Sequence, residues 1–293
     1  EVRSAAYLEK GNTAAASQDI ETVERLAQSL DSEPLLISML VEFAVQSISS
    51  RMIWQGLVDH RWDEAQLAHF QDLFARRTDP LQRCLTSLRA ERAFSASAID
   101  DLIKDPRRES ALASESGDWR NTVRFIPRGW LRQNQVSLAG YYDGVIHQLE
   151  QGGNMEQVLS AESSGRRYLE GRPRLYAMFA NMLAAAIDKA DTKSFRMQAL
   201  NRMGQTACAL ERFRRTSGVY PETLDKLTPK YLASAIMDPA SHKPFRYEPQ
   251  GDEWYRLYSL GANSRDDGGK PSRDEKGGDW CWPEPVDMKP RLF

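Results

Sequence analysis

Apolar residues follow helical spacing through most of the first 217 residues and change to two-residue alternation only after Asp238-Pro239. Helical spacing places apolar side chains on one stripe of a helix, whereas alternation places them on one face of a strand. The order therefore predicts a mainly α chain with a small C-terminal sheet. A chain of 293 residues exceeds a typical domain of about 100–200 residues, so we expect an all-helical domain over 1–191 and an α+β domain over 192–293.

The starts and ends of several helices can be predicted in the first domain. Ser, Thr, Asp and Asn are favoured just before a helix, Pro in its first turn and Gly after its end. Short loops between the helices indicate antiparallel neighbours, and residues 105–121 lack an apolar face and predict a surface loop. The predicted helices cover Ser17–Leu30, the segment after Ser32, the segments that begin at Trp62 or Asp63 and at Asp79-Pro80, Pro127 to Gly152-Gly153, Met155–Leu159, and Leu175 to Ile187.

Charge and hydropathy argue against two kinds of partner. The 39 basic and 41 acidic residues nearly balance, and phosphate binding needs a clustered excess of Lys and Arg, so we expect no nucleic-acid partner. The longest apolar stretch, Leu35–Val45, contains Glu42 and falls short of the roughly 20 residues that span a bilayer. Because the first residue is Glu1 rather than Met, the lack of a signal peptide leaves export undecided, and we expect membrane attachment only through a segment before Glu1.

The three cysteines, Cys84, Cys208 and Cys281, are widely separated and include no CxxC spacing. This count and spacing argue against a disulfide framework or a zinc knuckle. One disulfide remains an alternative, but we expect buried thiols in two helices and one strand.

No motif in the helical region indicates a chemistry. The sequence has no HExxH pair, no GxSxG elbow and no Gly-rich phosphate loop, and its histidines are scattered. The cluster Arg89, Glu91 and Arg92 could anchor an anion or an interhelical ion pair, but a solvated helix face with local pairing is the interpretation we favour. Four methionines lie on apolar stripes, where core packing explains them without a cofactor: Met39, Met52, Met178 and Met182.

The C-terminal region combines one helix with short strands. Thr192 is suited to cap a helix that ends at Gly218, and Tyr220-Pro221 begins a short helix. Alternation on both sides of Gln250-Gly251-Asp252 predicts a hairpin. Trp280-Cys281-Trp282 predicts a third strand, and Pro283 and Pro285 end it.

This order of features resembles the C-terminal part of the major pseudopilin of type II secretion. The resemblance covers about the last third of the chain, and its strongest part is Leu257-Tyr258-Ser259-Leu260-Gly261-Ala262-Asn263. It implies a helix that leads into a small antiparallel sheet, and an extracytoplasmic setting. The apolar N-terminal helix with which pseudopilins polymerise has no counterpart here. The helical domain resembles only hypothetical envelope proteins.

The resemblance also implies a calcium ion in the loop after the Tyr-Ser-Leu-Gly strand. Carried over by position, the ligands are the carbonyl of Leu260, the side chain of Asn263, a carboxylate of Asp266 or Asp267, and Asp279. Calcium takes six to eight oxygens from such groups, and the glycines of the loop let it turn tightly.

A solvated loop without any ion is the alternative. Asn263 is neutral where the family more often has Asp, and the spacing from Asn263 does not fit an EF-hand. The same loop carries basic residues that would weaken cation binding: Arg265, Lys270, Arg273 and Lys276.

Three functions remain open. The leading hypothesis is a non-enzymatic periplasmic or envelope protein, exported or membrane-anchored and related to type II secretion, with a calcium-stabilised sheet. A helical scaffold that binds a protein or peptide partner, with the sheet as a cap, is the second. An enzyme with a site between the domains is the third, and it requires a deep pocket with convergent polar groups.

Overall fold

The computed structural model describes residues 1–104, 126–251, 254–271 and 277–282. The chain is mainly helical and has a small three-stranded antiparallel sheet near its C-terminus, as predicted. The surface loop predicted for residues 105–121 and the prolines expected to end the last strand lie outside the described residues. A protein of this class buries the apolar stripe of each helix against its neighbours.

The part of the chain that the structure describes contains eight α-helices, two 3₁₀ turns and three strands. The helices are α1 Val2–Glu9, α2 Thr13–Gln28, α3 Leu36–Val58, α4 Glu64–Arg76, α5 Pro80–Lys104, α6 Arg128–Glu150, α7 Met155–Glu170 and α8 Met178–Ser217. The 3₁₀ turns are Arg174–Tyr176 and Leu224–Leu227. The strands are β1 Arg246–Gln250, β2 Trp254–Ser259 and β3 Trp280–Trp282, with β2 in the middle and antiparallel to both neighbours.

Local capping chemistry fixes several helix starts. Asp63 forms a capping box with Gln66 before α4, which confirms that start. The carboxylate of Asp79 accepts hydrogen bonds from the first amides of α5. The cap predicted at Ser32 is wrong, because α3 begins at Leu36 and the amide of Leu36 donates to Glu91 from α5 instead (3.2 Å).

Helix α8 is a single element of 40 residues that spans the predicted boundary between residues 191 and 192. Thr192 therefore caps no helix; its hydroxyl donates to the carbonyl of Asp188 one turn earlier. The predicted end is correct, because Gly218 adopts the left-handed conformation (φ 83°) just after the last turn. The short helix predicted over Met155–Leu159 is also longer than expected, since α7 continues to Glu170.

The helices bury two ion pairs together with the apolar core. Arg77 follows α4 and pairs with Glu24 of α2, and it also donates to the side chain of Asn201 on α8 (2.7 Å). Arg83 of α5 pairs with Glu42 of α3, with 2.9 Å between Nε and Oε2. Each pair joins helices that are distant in sequence, so the charges fix how these helices pack.

Among the described residues, α3 is the one helix long and apolar enough to cross a membrane by length and composition. It extends beyond Leu35–Val45 and is therefore longer than the sequence prediction allowed. Half of its apolar window is buried inside the protein, and core helices often meet the same criterion. Its Glu42 is paired in the interior, as a core helix requires.

The methionine prediction is half correct. Met39 and Met52 are fully buried in the core. Met178 and Met182 are exposed instead, although they lie one turn apart on α8. The helical period was right, but the side of the first turns of α8 that carries these methionines faces solvent.

None of the three cysteines forms a disulfide. Cys84 and Cys208 are buried in α5 and α8, and Cys281 is half-buried in β3. This confirms the expected thiols in two helices and one strand. Burial raises the pKa of the Cys84 thiol to about 12, so this thiol stays protonated near neutral pH.

Candidate metal centre

The loop between β2 and β3 folds tightly because glycines occupy its left-handed positions. Gly261 has φ 64°, and a Cβ at this position would lie 2.5 Å from the carbonyl oxygen of Gly278. Gly269 has φ 70°, and a Cβ there would overlap the side chain of Arg256. The amide of Asp279 then donates to the carbonyl of Lys270 (3.0 Å). These close approaches bring both ends of the loop together beside the sheet.

Asp279 is the centre of the loop. Its Oδ2 accepts hydrogen bonds from the backbone amides of Asp267 (3.1 Å) and Gly269 (2.7 Å). Its Oδ1 is buried and has no hydrogen-bond partner among the described residues, and the residue is only 2% exposed. A buried carboxylate oxygen without a partner is costly, so this atom marks the place where a cation would be favourable.

The structure brings two other predicted ligands toward this carboxylate. Asp267 Oδ2 accepts a hydrogen bond from Asn263 Nδ2 (3.0 Å), and the Asp267 amide itself contacts Asp279. Asn263 Oδ1 accepts from the amide of Arg265 (3.0 Å). Asn263, Asp267 and Asp279 therefore form one connected group. Leu260 lies directly after β2 at the start of the same loop, and it is half-buried.

Asp266 is directed elsewhere. Its Oδ1 accepts hydrogen bonds from the hydroxyl of Tyr258 (3.1 Å) and the amide of Gly268 (3.0 Å), and its Oδ2 lies 3.3 Å from Nε of Arg246. Of the two alternative acids in the prediction, Asp267 is therefore the one beside Asp279. The roles of Tyr258 and Arg246 were not foreseen, because only the folded hairpin places them opposite the loop.

The electrostatics of the site favour a cation. Burial raises the pKa of Asp279, and the nearby charges of Asp267 and Asp266 act in the same direction, although the amides of Gly269 and Asp267 oppose them. A bound cation would reverse the effect by stabilising the ionised carboxylate. Arg265 and Lys270 are exposed, and the other two basic residues of the loop, Arg273 and Lys276, lie outside the described residues.

The donor set fits calcium better than a metal that needs nitrogen or sulfur. In the described part of the chain, no group of three or more His, Cys, Asp or Glu side chains could hold a metal ion alone. A calcium site here therefore also needs amide, carbonyl or water oxygens, which Asn263, Leu260 and solvent can supply.

A cavity of about 230 Å³ lies beside the loop, between the start of β1 and the end of β2. Its buried carboxylate, Asp238, accepts hydrogen bonds from the hydroxyls of Ser241 (2.8 Å) and Ser259 (2.9 Å) and from the amide of Ala240 (3.1 Å). In the sequence, Asp238 was noted only as part of the Asp238-Pro239 pair after which alternation begins. Its full set of partners indicates that it ties this turn to β2.

A second polar group joins the helices to the tail. Glu211 of α8 is buried, with Oε1 2.9 Å from Nδ1 of His60 and Oε2 accepting from the hydroxyl of Tyr220 (2.7 Å). Burial raises the pKa of Tyr220, and the charge of Glu211 adds to this effect. His69 is instead paired with Glu21. The arrangement around Glu211 fastens three separate segments together.

The cluster of Arg89, Glu91 and Arg92 forms contacts between helices. Arg89 pairs with Glu150 and Arg92 pairs with Asp143, both on α6. Glu91 accepts the first amide of α3. These contacts support the interhelical ion pair and not the local pairing that the sequence favoured.

No family model, curated protein or solved structure matches this chain.

Proposed function

We propose that this chain is a non-enzymatic envelope protein, exported or membrane-anchored, whose pseudopilin-like C-terminal sheet is stabilised by calcium. The observation that carries the proposal is the buried Oδ1 of Asp279, which has no hydrogen-bond partner among the described residues. Hydrogen bonds link the same carboxylate to Asp267 and, through Asp267, to Asn263. The order of motifs that resembles the major pseudopilin independently points to the same residues.

The buried carboxylate of Asp279 carries a charge that the described residues compensate only at Oδ2. An isolated carboxylate loses several kcal/mol of favourable hydration when it is buried without a partner. Two backbone amides reduce this cost at Oδ2 of Asp279, but they do not reach Oδ1. A calcium ion would supply two positive charges there, and the amide and carbonyl oxygens of the loop would complete part of its shell.

The affinity should be modest. Asn263 contributes no charge, Asp266 is engaged by Tyr258 and Arg246, and the loop carries exposed basic side chains. Fewer charged ligands lower calcium affinity toward the range of extracellular modules, with Kd of about 10⁻⁴–10⁻³ M. Such a site is filled outside the cytoplasm, which agrees with the proposed setting.

Calorimetric titration and thermal denaturation test whether the loop binds calcium. We expect calcium to bind and to raise the melting temperature, the chelator EGTA to reverse the increase, and magnesium to be much weaker. Asp279→Asn should abolish the response while the variant stays folded without calcium, because it removes an uncompensated buried charge. Asp225→Asn, an exposed acid of the same tail, is the matched control. A wild-type protein that does not respond to calcium would contradict the proposal.

Fractionation of cells that express the full-length gene product tests the envelope part. We expect the protein in the periplasmic or membrane fraction and accessible to protease from outside the inner membrane. Recovery in the cytoplasmic fraction alone would exclude the envelope role and leave the calcium result unaffected.

A further inference from the structure

One end of the helical body exposes apolar side chains and carries three arginines. It is formed where the first turn of α6, the 3₁₀ turn and the first turns of α8 meet. We call this surface the basic end, and it comprises Arg128, Arg172, Arg174, Leu175, Met178 and Met182. With a rise of about 1.5 Å per residue, the 40 residues of α8 place Met178 about 60 Å along that helix from Gly218.

The apolar side chains of the basic end are unusually exposed. Leu175 is 48% exposed, Met178 39% and Met182 62%. Met178 and Met182 are one turn apart, so they project from the same side of α8. Fully burying such a side chain would contribute about 1.5–3 kcal/mol, and here most of that gain is not realised within the chain.

The backbone beneath them is firmly held. Asn134 of α6 donates from Nδ2 to the carbonyl of Leu175 (2.6 Å), and its Oδ1 accepts from the amide of Phe179 (3.0 Å). The rings of Trp130 and Tyr176 also meet, with centroids 6.2 Å apart. The exposed side chains thus project from a fixed platform in which α6 supports the start of α8.

Three arginines lie at the same end of the helical body. Arg128 and Arg174 are exposed, and neither has a carboxylate within 4 Å among the residues that the structure describes. Arg172 donates to Gln133 and Ser137 and lies over the ring of Tyr168 (4.6 Å). The first turn of α6 adds a positive partial charge, because Pro127 provides no side-chain cap.

Among the described residues, few acidic side chains lie at this end. Asp100 of α5 is engaged by Arg132. Asp101 and Glu170 remain, against the three arginines of the basic end and Lys104 at the end of α5. The described part of this surface therefore carries more positive than negative charge.

We propose that the basic end docks on a membrane surface rich in anionic phospholipid. Arginines bind the phosphates of lipid headgroups, and exposed Leu and Met side chains insert at the boundary between headgroups and acyl chains. The apolar side chains are exposed at the same end of the body as the arginines, a combination that favours a lipid surface. This contact is separate from the calcium loop and from any anchor that precedes Glu1.

Vesicle flotation tests the proposal with the whole chain. Vesicles contain either phosphatidylcholine alone or phosphatidylcholine with about one third phosphatidylglycerol. We expect the protein to bind the anionic vesicles and to lose most binding when NaCl increases from about 0.05 M to about 0.5 M, because salt screens the attraction. Arg128→Gln/Arg174→Gln should weaken binding at least about tenfold, since each cation contributes about 1 kcal/mol at such a surface.

The apolar contribution is tested with Met178→Gln/Met182→Gln, for which we also expect about a tenfold loss. Two matched controls should stay within about twofold of wild type: the exposed apolar pair Ile37→Gln/Val41→Gln, and the exposed cations Arg76→Gln/Lys226→Gln. Melting temperatures identify any variant that is misfolded.

Equal binding to neutral vesicles, equal losses in the controls, or no vesicle binding by the wild-type protein would each overturn the proposal. Binding to polyglutamate that requires the arginines but not the methionines, without vesicle binding, would also overturn it and would indicate an acidic protein partner.

Discussion

The helical body and the C-terminal loop both bury charged side chains, but they neutralise them differently. In the body, Glu24 is matched by the guanidinium of Arg77, and Glu42 by that of Arg83. In the loop, Oδ2 of Asp279 accepts hydrogen bonds from two backbone amides, and its Oδ1 has no hydrogen-bond partner among the described residues. Two carboxylates of the body are thus each matched by a guanidinium, whereas the described part of the loop places no ion pair on Asp279.

The prediction with the largest expected effect tests whether Arg77 neutralises Glu24 in the helical body. Arg77→Met should lower the free energy of unfolding by about 3–5 kcal/mol, because it leaves Glu24 buried without its partner. Chemical denaturation measures the change. The adjacent substitution Arg76→Met removes an exposed pair with Asp72 and should cost less than about 1 kcal/mol.

The double variant Arg77→Met/Glu24→Leu separates loss of charge compensation from loss of packing. It should recover much of the stability, because no uncompensated charge remains. Equal costs for the double and the single variant would show that the pair matters only for shape.

The second prediction concerns where calcium acts. At about 100 times its Kd, calcium should stabilise the protein against unfolding by about 2.7 kcal/mol, and slow local opening of the loop. Hydrogen exchange should therefore slow in residues 254–271, including the amides of Asp267 and Gly269, and remain unchanged in the middle of α3. Slower local exchange in α3 as well would remove the distinction between loop and body.

The third prediction tests how tightly the loop closes. Gly261→Ala should cost about 2–3 kcal/mol, because the added Cβ would meet the carbonyl oxygen of Gly278 in a left-handed conformation. Gly251→Ala has the same sign of φ but open space around it, and should cost about 1 kcal/mol. Thermal denaturation of the two variants measures the difference, and equal costs would argue against a tightly closed loop.

The fourth prediction has the smallest expected effect and tests whether the carboxylate of Glu42 in the helical body is ionised. Burial raises the pKa of Glu42 to about 7, against the pull of Arg83. The folded protein then holds a proton that the unfolded chain, with an ordinary carboxyl pKa, has released. Stability should fall by about 2 kcal/mol between about pH 5 and about pH 7 and change little above that. Glu42→Gln should remove this dependence, and an unchanged pH profile in that variant would show that another group is responsible.

Helix ends were predictable where the capping group is local. Asp63, Asp79 and Gly218 act on amides or carbonyls within one turn, so their sequence signals were sufficient. Ser32 misled because a distant side chain, Glu91, took the capping role. Thr192 misled because a threonine inside a helix can bond to its own preceding turn.

The site was predictable only in part. The resemblance selected Asn263, Asp267 and Asp279, which the structure connects by hydrogen bonds. It could not distinguish Asp266 from Asp267, because that depends on where Tyr258 lies across the sheet. The missing partner of Asp279 Oδ1 is also a three-dimensional property, set by which backbone amides face the carboxylate.

The continuity of α8 limits how the chain can be divided or recombined. The helix turns about 100° and advances about 1.5 Å per residue, so one inserted residue near position 191 would rotate the downstream part by about a quarter turn. Residues that now face α4 and the sheet would then face solvent. Insertions or deletions in this helix are therefore tolerated best when they keep whole turns, and the most useful cut sites for fusion proteins lie elsewhere in the chain.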